Sequence, residues 1–110
     1  WDQFDALCAI ETTPGRFHKA ITTFTSSYIR TNRPILGFLL PDPLAMAVTL
    51  EPDLIAESFD AYVAAEMHGT HTRGMTVIDH FGHLKRPANS RIVTKVHMDG
   101  VYRLFEQMLA

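Results

Sequence analysis

The residues best suited to chemistry in this chain are a lone carboxylate and a scatter of imidazoles. Asp42 is the one charge in residues 37–50 and sits between Pro41 and Pro43, where an apolar approach turns into an apolar helical stretch. Pro43 disfavours helical angles at the residue before it, and proline itself suits a first helical position. The pair therefore predicts Asp42 as an N-cap with the helix running over 43–50. A carboxylate there accepts hydrogen bonds from the first free N–H groups, worth on the order of 1 kcal/mol. Its other possible use is as an oxygen ligand for a hard cation. Calcium takes about six to eight oxygens, and no EF-hand loop is present, so Asp42 alone cannot make a site.

Six histidines invite a metal reading, above all His68-x-x-His71 and His80-x-x-His83. Zinc needs three or four ligands at defined spacing, and neither a Cys pair nor an H-E-x-x-H helix completes one. These histidines read as solvated groups of turns and loops. The sequence also lacks the glycine-rich dinucleotide and P-loop signatures and the G-x-S-x-G elbow. Cys8, the single cysteine, lies among Phe4, Leu7 and Ile10 without an electropositive neighbour, and reads as core rather than nucleophile. Glu66, Arg73 and Asp79 fall on a candidate hairpin, where ion pairing or turn support is their expected work.

Several elements must position these groups. Trp1, Phe4, Leu7 and Cys8 recur at helical intervals and predict a short helix within residues 1–10. Thr13 as N-cap and Pro14 as first residue start a second, along which Phe17, Ile21, Phe24 and Tyr28 form an aromatic stripe expected to face a core. Asn32-Arg33-Pro34 closes it. The helix at 43–50 has hardly a polar side and belongs inside a larger body. Residues 59–67 and 73–79 alternate as the arms of a β-hairpin across His68-Gly69-Thr70-His71, and 91–97 form a third strand. Asp99 is the expected N-cap of a last helix carrying Val101, Leu104, Phe105 and Met108.

Length and charge set the outer bounds. A chain of 110 residues, 46% hydrophobic, suits one modest domain or part of a larger one. A net charge of −2 gives no general attraction to nucleic acid or anionic lipid, and Pro41-Asp42-Pro43 interrupts the longest apolar stretch before it could span a bilayer. A start at Trp1 suggests a fragment or a processed product, and the apolar helix at 43–50 calls for cover from a further part of the fold. With neither a signal segment nor a spanning stretch, the chain reads as soluble and intracellular.

The residues also carry a resemblance. Leu39-Leu40-Pro41-Asp42-Pro43-Leu44-Ala45-Met46-Ala47, then Pro52-Asp53-Leu54, Val63, Glu66, Thr72-Arg73-Gly74-Met75-Thr76-Val77 and Asp79 follow one another as in the C-terminal third of the inosine–uridine preferring nucleoside hydrolases. The order and spacing of these segments resemble the family over about residues 37–110. The resemblance implies an α/β fold with a mainly parallel central sheet. This chain would be its C-terminal fragment, 1–110 of a single domain, contributing helices, a β-hairpin, one further strand and a C-terminal helix. It implies hydrolysis of the N-glycosidic bond of purine or pyrimidine ribonucleosides to ribose and free base. It also implies a cytoplasmic parent that is a homo-oligomer, with a ribonucleoside as partner and neither nucleic acid nor membrane.

In that family a calcium ion is held by an N-terminal aspartate cluster together with the aspartate of a His-Asp-Pro segment. The ion also meets ribose hydroxyls and the attacking water, and an N-terminal aspartate serves as base. Carried over, the C-terminal aspartate is Asp42, as metal ligand and catalytic-site residue. Two departures follow. The aspartate cluster is absent from these residues, so the chain alone should be inactive. The family histidine position is Pro41, which has no proton to give a leaving base, and a non-catalytic protein or fragment of the same fold, with a binding or assembly role, is the competing reading.

Overall fold

A short helix and a longer amphipathic one open the chain and pack on one another. In the computed structural model, which describes residues 1–110, α1 spans Asp2–Cys8 and buries Phe4 and Leu7, while α2 spans Thr13–Asn32. The N-cap of α2 is Thr12, one residue before the expected Thr13. Its hydroxyl accepts from Gly15 N–H at 3.0 Å and donates to the Leu109 carbonyl, so the cap also ties α2 to the last helix.

The side of α2 that packs is the reverse of the one its aromatic stripe predicts. Gly15 and Thr22 are buried and His18 is half-buried beside Cys8 of α1, whereas Phe17, Ile21 and Tyr28 are exposed and Phe24 is 81% exposed. An aromatic stripe marks a face that favours burial, but not whether the partner lies in the same chain. Here the small and polar side lets the helices approach closely.

Helix α3 spans Pro41–Leu50 and leads through a 3-10 turn at Pro52–Leu54, and α4 spans Met98–Leu109. Leu54, Val101 and Leu109 are buried, and the Leu54 carbonyl accepts from His97 N–H at 2.8 Å. That bond sets the start of α4 at Met98 with His97 as N-cap, so Asp99 lies in the first turn and makes no cap, contrary to expectation. Trp1–Leu54 and His97–Ala110 form one compact unit, and Ile55–Val96 forms a second.

The second unit is a three-stranded antiparallel sheet in the order β2-β1-β3, with β1 at Ile55–Ala65, β2 at Thr76–Asp79 and β3 at Ser90–Val96. The expected hairpin and third strand are both present. β1 begins four residues before its predicted start, because a register irregularity around Glu57 breaks the alternation that would have revealed it. Glu57 pairs with Lys95 at 3.1 Å and Asp60 with Arg91 at 3.4 Å across the β1–β3 ladder, so the polar letters of this stretch are cross-strand partners.

The hairpin turn is built by Glu66, whose carboxylate accepts from His68 and Gly69 N–H at 2.8 and 3.0 Å. Gly74 supplies the left-handed geometry there at φ 85°, donating to the Glu66 carbonyl at 2.7 Å. The Asp79 carboxylate caps the next loop by accepting from His83 and Leu84 N–H, both at 2.9 Å. Turn support is thus the role of both acids, while Arg73 makes no ion pair. Asn89, which lies outside the three expected strands, prolongs the ladder. Its side chain accepts from Val63 N–H at 2.8 Å and donates to Val63 O at 2.9 Å.

Candidate functional site

Asp42 lies in the first turn of α3, not at its cap. The helix starts two residues earlier than expected, with Leu40 as N-cap, Pro41 as first residue and no side-chain cap bond. The restriction that Pro43 places on Asp42 is overridden because Pro41 already fixes a helical φ at the start of the turn. A proline in the third helical position costs no hydrogen bond, since the first intrahelical bond is donated by Leu44 N–H to Leu40 O at 3.0 Å. Asp42 is therefore a second-position acid, favoured by the positive end of the helix dipole.

The carboxylate is exposed and takes part in no hydrogen bond or ion pair within the chain. Both oxygens are free for a ligand. The backbone beneath them is fixed from both sides. Upstream, Phe38 stacks on Phe4 with ring centroids 4.6 Å apart and meets Trp1 edge-on at 6.3 Å. Arg30 closes that cluster, lying 3.9 Å over the Trp1 ring and 2.6 Å from the Asp5 carboxylate. Downstream, Ala47 is buried where α3 meets Leu104 and Phe105 of α4. Sequence reasoning missed Phe38; an aromatic three residues ahead of Pro41 was its only signal.

No three His, Cys, Asp or Glu side chains converge as a metal site. An unpaired carboxylate such as that of Asp42 is a hard oxygen donor of the kind a divalent cation takes, and no group of three such side chains gathers around it. The histidines are dispersed: His68, His71, His80 and His83 belong to the loops of the second unit, and His80 packs edge-on against Phe59 at 4.6 Å. His18 is the one with a perturbed environment. Burial beside Phe4 draws its imidazole below the usual histidine pKa, and its Nε2 has no hydrogen-bond partner. Cys8 Sγ lies 3.9 Å from both His18 Nδ1 and Thr22 Oγ1, a loose arrangement in the packing between α1 and α2. No helix is long and apolar enough to cross a membrane.

The sequence pattern of the family described as inosine-uridine preferring nucleoside hydrolase matches residues 1–103. The chain is 38% identical over 74 residues to the pyrimidine-specific ribonucleoside hydrolase RihA of Photobacterium profundum, covering 67% of this chain and 24% of that protein. It is 28% identical over 109 residues to the non-specific ribonucleoside hydrolase RihC of Salmonella paratyphi B, covering 99% of this chain and 34% of that one. A solved inosine-guanosine nucleoside hydrolase superposes with a TM-score of 0.77 at 25% identity, over 99% of this chain and 34% of its own. The chain thus spans about a third of the length of the RihC relative.

Proposed function

Because this chain belongs to the inosine-uridine preferring nucleoside hydrolase family, we propose that it supplies the C-terminal part of a single hydrolase domain that cleaves the N-glycosidic bond of a ribonucleoside to ribose and base. Its contribution to the active site is Asp42, as one ligand of a calcium ion whose remaining ligands lie outside these 110 residues. The observation that carries this reading is the Asp42 carboxylate itself, exposed, unpaired and fixed at the start of an anchored helix. Bound calcium supplies positive charge that orients ribose hydroxyls and eases deprotonation of water.

What the chain's own residues do is limited and specific. Asp42 holds a negative charge at a set position, its backbone pinned by the Phe38 stack above and by Ala47 below. A backbone held in advance lowers the ordering free energy that binding a ligand costs. Pro41 neither donates nor accepts a proton, so a departing base takes its proton from a group other than residue 41. On its own the chain holds too few ligands to turn over a nucleoside. The same reading makes the whole protein a cytoplasmic homo-oligomer that binds ribonucleosides rather than nucleic acid or membrane, in keeping with a net charge of −2.

The test is a complete domain in which these residues replace the corresponding third of the RihC relative. Asp42→Ala in that chimera should lower calcium affinity and hydrolysis of inosine and uridine by roughly 10–100-fold or more, since even outer-shell partners of metal ligands cost that much. Unchanged calcium binding and turnover would remove Asp42 from the site. Pro41 favours a second reading, a family member that binds without turnover; calcium and nucleoside binding with no release of base would establish it.

A further inference from the structure

Residues 34–39 cross from α2 to α3 without one backbone hydrogen bond to the rest of the chain, and Leu36 and Leu39 are 95% and 73% exposed. A segment built this way is ordinarily loose, because nothing pairs its polar groups or covers its apolar ones. Yet it delivers Asp42 to the start of α3, where the helix has no side-chain cap. Helix ends without such a cap fray. The bond from Leu44 N–H to Leu40 O closes the first turn around Asp42, and it holds only while Leu40 stays in place.

Phe38 is the exception in this segment. Its ring is half-buried, stacked on Phe4 with the two planes 12° apart and met edge-on by Trp1. Phe4 is buried and lies against His18 of α2, so the ring that receives Phe38 is a fixed part of the helix pair. One face of Trp1 is covered by the Arg30 guanidinium, which Asp5 holds in turn. Stacked rings, and a cation over an indole, attract one another beyond the area they bury. Two parallel faces also fix a direction as well as a place.

We infer that Phe38, seated on Phe4 and Trp1, is a positioning residue for Asp42, and that it sets the affinity of that carboxylate for a divalent cation by keeping the first turn of α3 closed. The inference rests on Asp42 being a calcium ligand and goes beyond it, since Phe38 acts through the backbone of residues 39–42. A site that is competent only part of the time binds with an affinity reduced by that fraction. Partners one step behind a metal ligand commonly carry about 10–100-fold in metal affinity.

Phe38→Leu keeps the apolar bulk and removes the flat face, while Phe38→Tyr keeps the face. In the free 110-residue chain, amide exchange at Leu44 N–H should quicken in Phe38→Leu and recover in Phe38→Tyr. Exchange at Glu51 N–H, bonded to Ala47 O at 2.9 Å at the other end of the same helix, should stay as it was. Equal quickening at both ends, or none at Leu44, would overturn the inference by leaving Phe38 with general packing alone.

In the RihC chimera, calorimetric titration with calcium should give an affinity roughly tenfold lower for Phe38→Leu and a restored one for Phe38→Tyr. Asp42→Ala in the same chimera separates this inference from the reading beneath it. Affinity that falls in Asp42→Ala but not in a folded Phe38→Leu would overturn the inference and leave Asp42 a ligand. Affinity unchanged in Asp42→Ala would overturn both, whatever Phe38→Leu does. The exchange measurement needs no metal and decides the question for a Phe38→Leu chimera that fails to fold.

Discussion

Replacing Gly15 with alanine sets two magnitudes against each other at one atom. Alanine favours a helix over glycine by up to about 1 kcal/mol. Against this, a Cβ on Gly15 would overlap the Ile10 carbonyl oxygen and lie 2.9 Å from its carbonyl carbon. These are backbone atoms at the end of α1, where Ile10 N–H is held by Leu7 O at 3.3 Å, and no rotamer relieves them. Relief requires moving the Ala9–Thr12 turn, and with it the Thr12 cap that accepts from Gly15 N–H at 3.0 Å. Overpacking of this kind costs about 1–3 kcal/mol and a lost cap about 0.5–2 kcal/mol, so the clash wins.

Gly15→Ala should therefore lose about 1–3 kcal/mol net, a fall in Tm on the order of 5–15 °C for a domain of this size. Gly100→Ala is the control, because Gly100 occupies the equivalent third position of α4. Its added Cβ would overlap only Cδ2 of Leu54, the far end of a side chain that can turn aside, so the loss should stay below about 1 kcal/mol. Thermal unfolding by circular dichroism, with urea titration to check m, reads both. A Gly15→Ala chain as stable as the parent, or less affected than Gly100→Ala, would refute the reasoning.

Stability should also depend on pH through His18. Burial lowers its folded-state pKa, so the unfolded chain takes up the proton first as pH falls. The contribution of neutral His18 is complete above the ordinary histidine value and declines as pH drops below it toward the folded-state value; His18→Gln should flatten urea midpoints across that window. Asp79→Ala removes the acceptor shared by His83 and Leu84 N–H and should cost about 1 kcal/mol, with faster amide exchange at those two residues while β1 exchange is unchanged. Phe24→Ser, at a side chain 81% exposed, should shift free-chain stability by no more than about 0.5 kcal/mol in the same urea assay.

Periodicity located the helices, hairpin and third strand because each is a local pattern with its own partner nearby. The aromatic stripe of α2 was legible as a stripe but not as a surface, since burial is a property of two faces and the sequence displays one. Asp42 and Asp99 were misplaced as caps for a shared reason. Local rules anchor a helix at its best capping residue, whereas Leu40 and His97 start these helices through backbone bonds, without a side chain. Asn89 imitates a strand residue with its side chain, which no alternation pattern can reveal. Asp42 was found as a carboxylate worth attention, but the Phe38 stack that steadies it depends on α1, more than thirty residues away in sequence.

The two prolines around Asp42 also change what the end of α3 can tolerate in front of it. A helix N-terminus ordinarily offers four unpaired N–H groups and roughly half a positive charge, a field that attracts anions and repels cations. In α3 two of those four positions are Pro41 and Pro43, which leaves only the N–H groups of Leu40 and Asp42. Half of the protons that would push a divalent cation away from this terminus are missing. The proline that deprives position 41 of an acid thus also softens the repulsion a metal would meet beside Asp42.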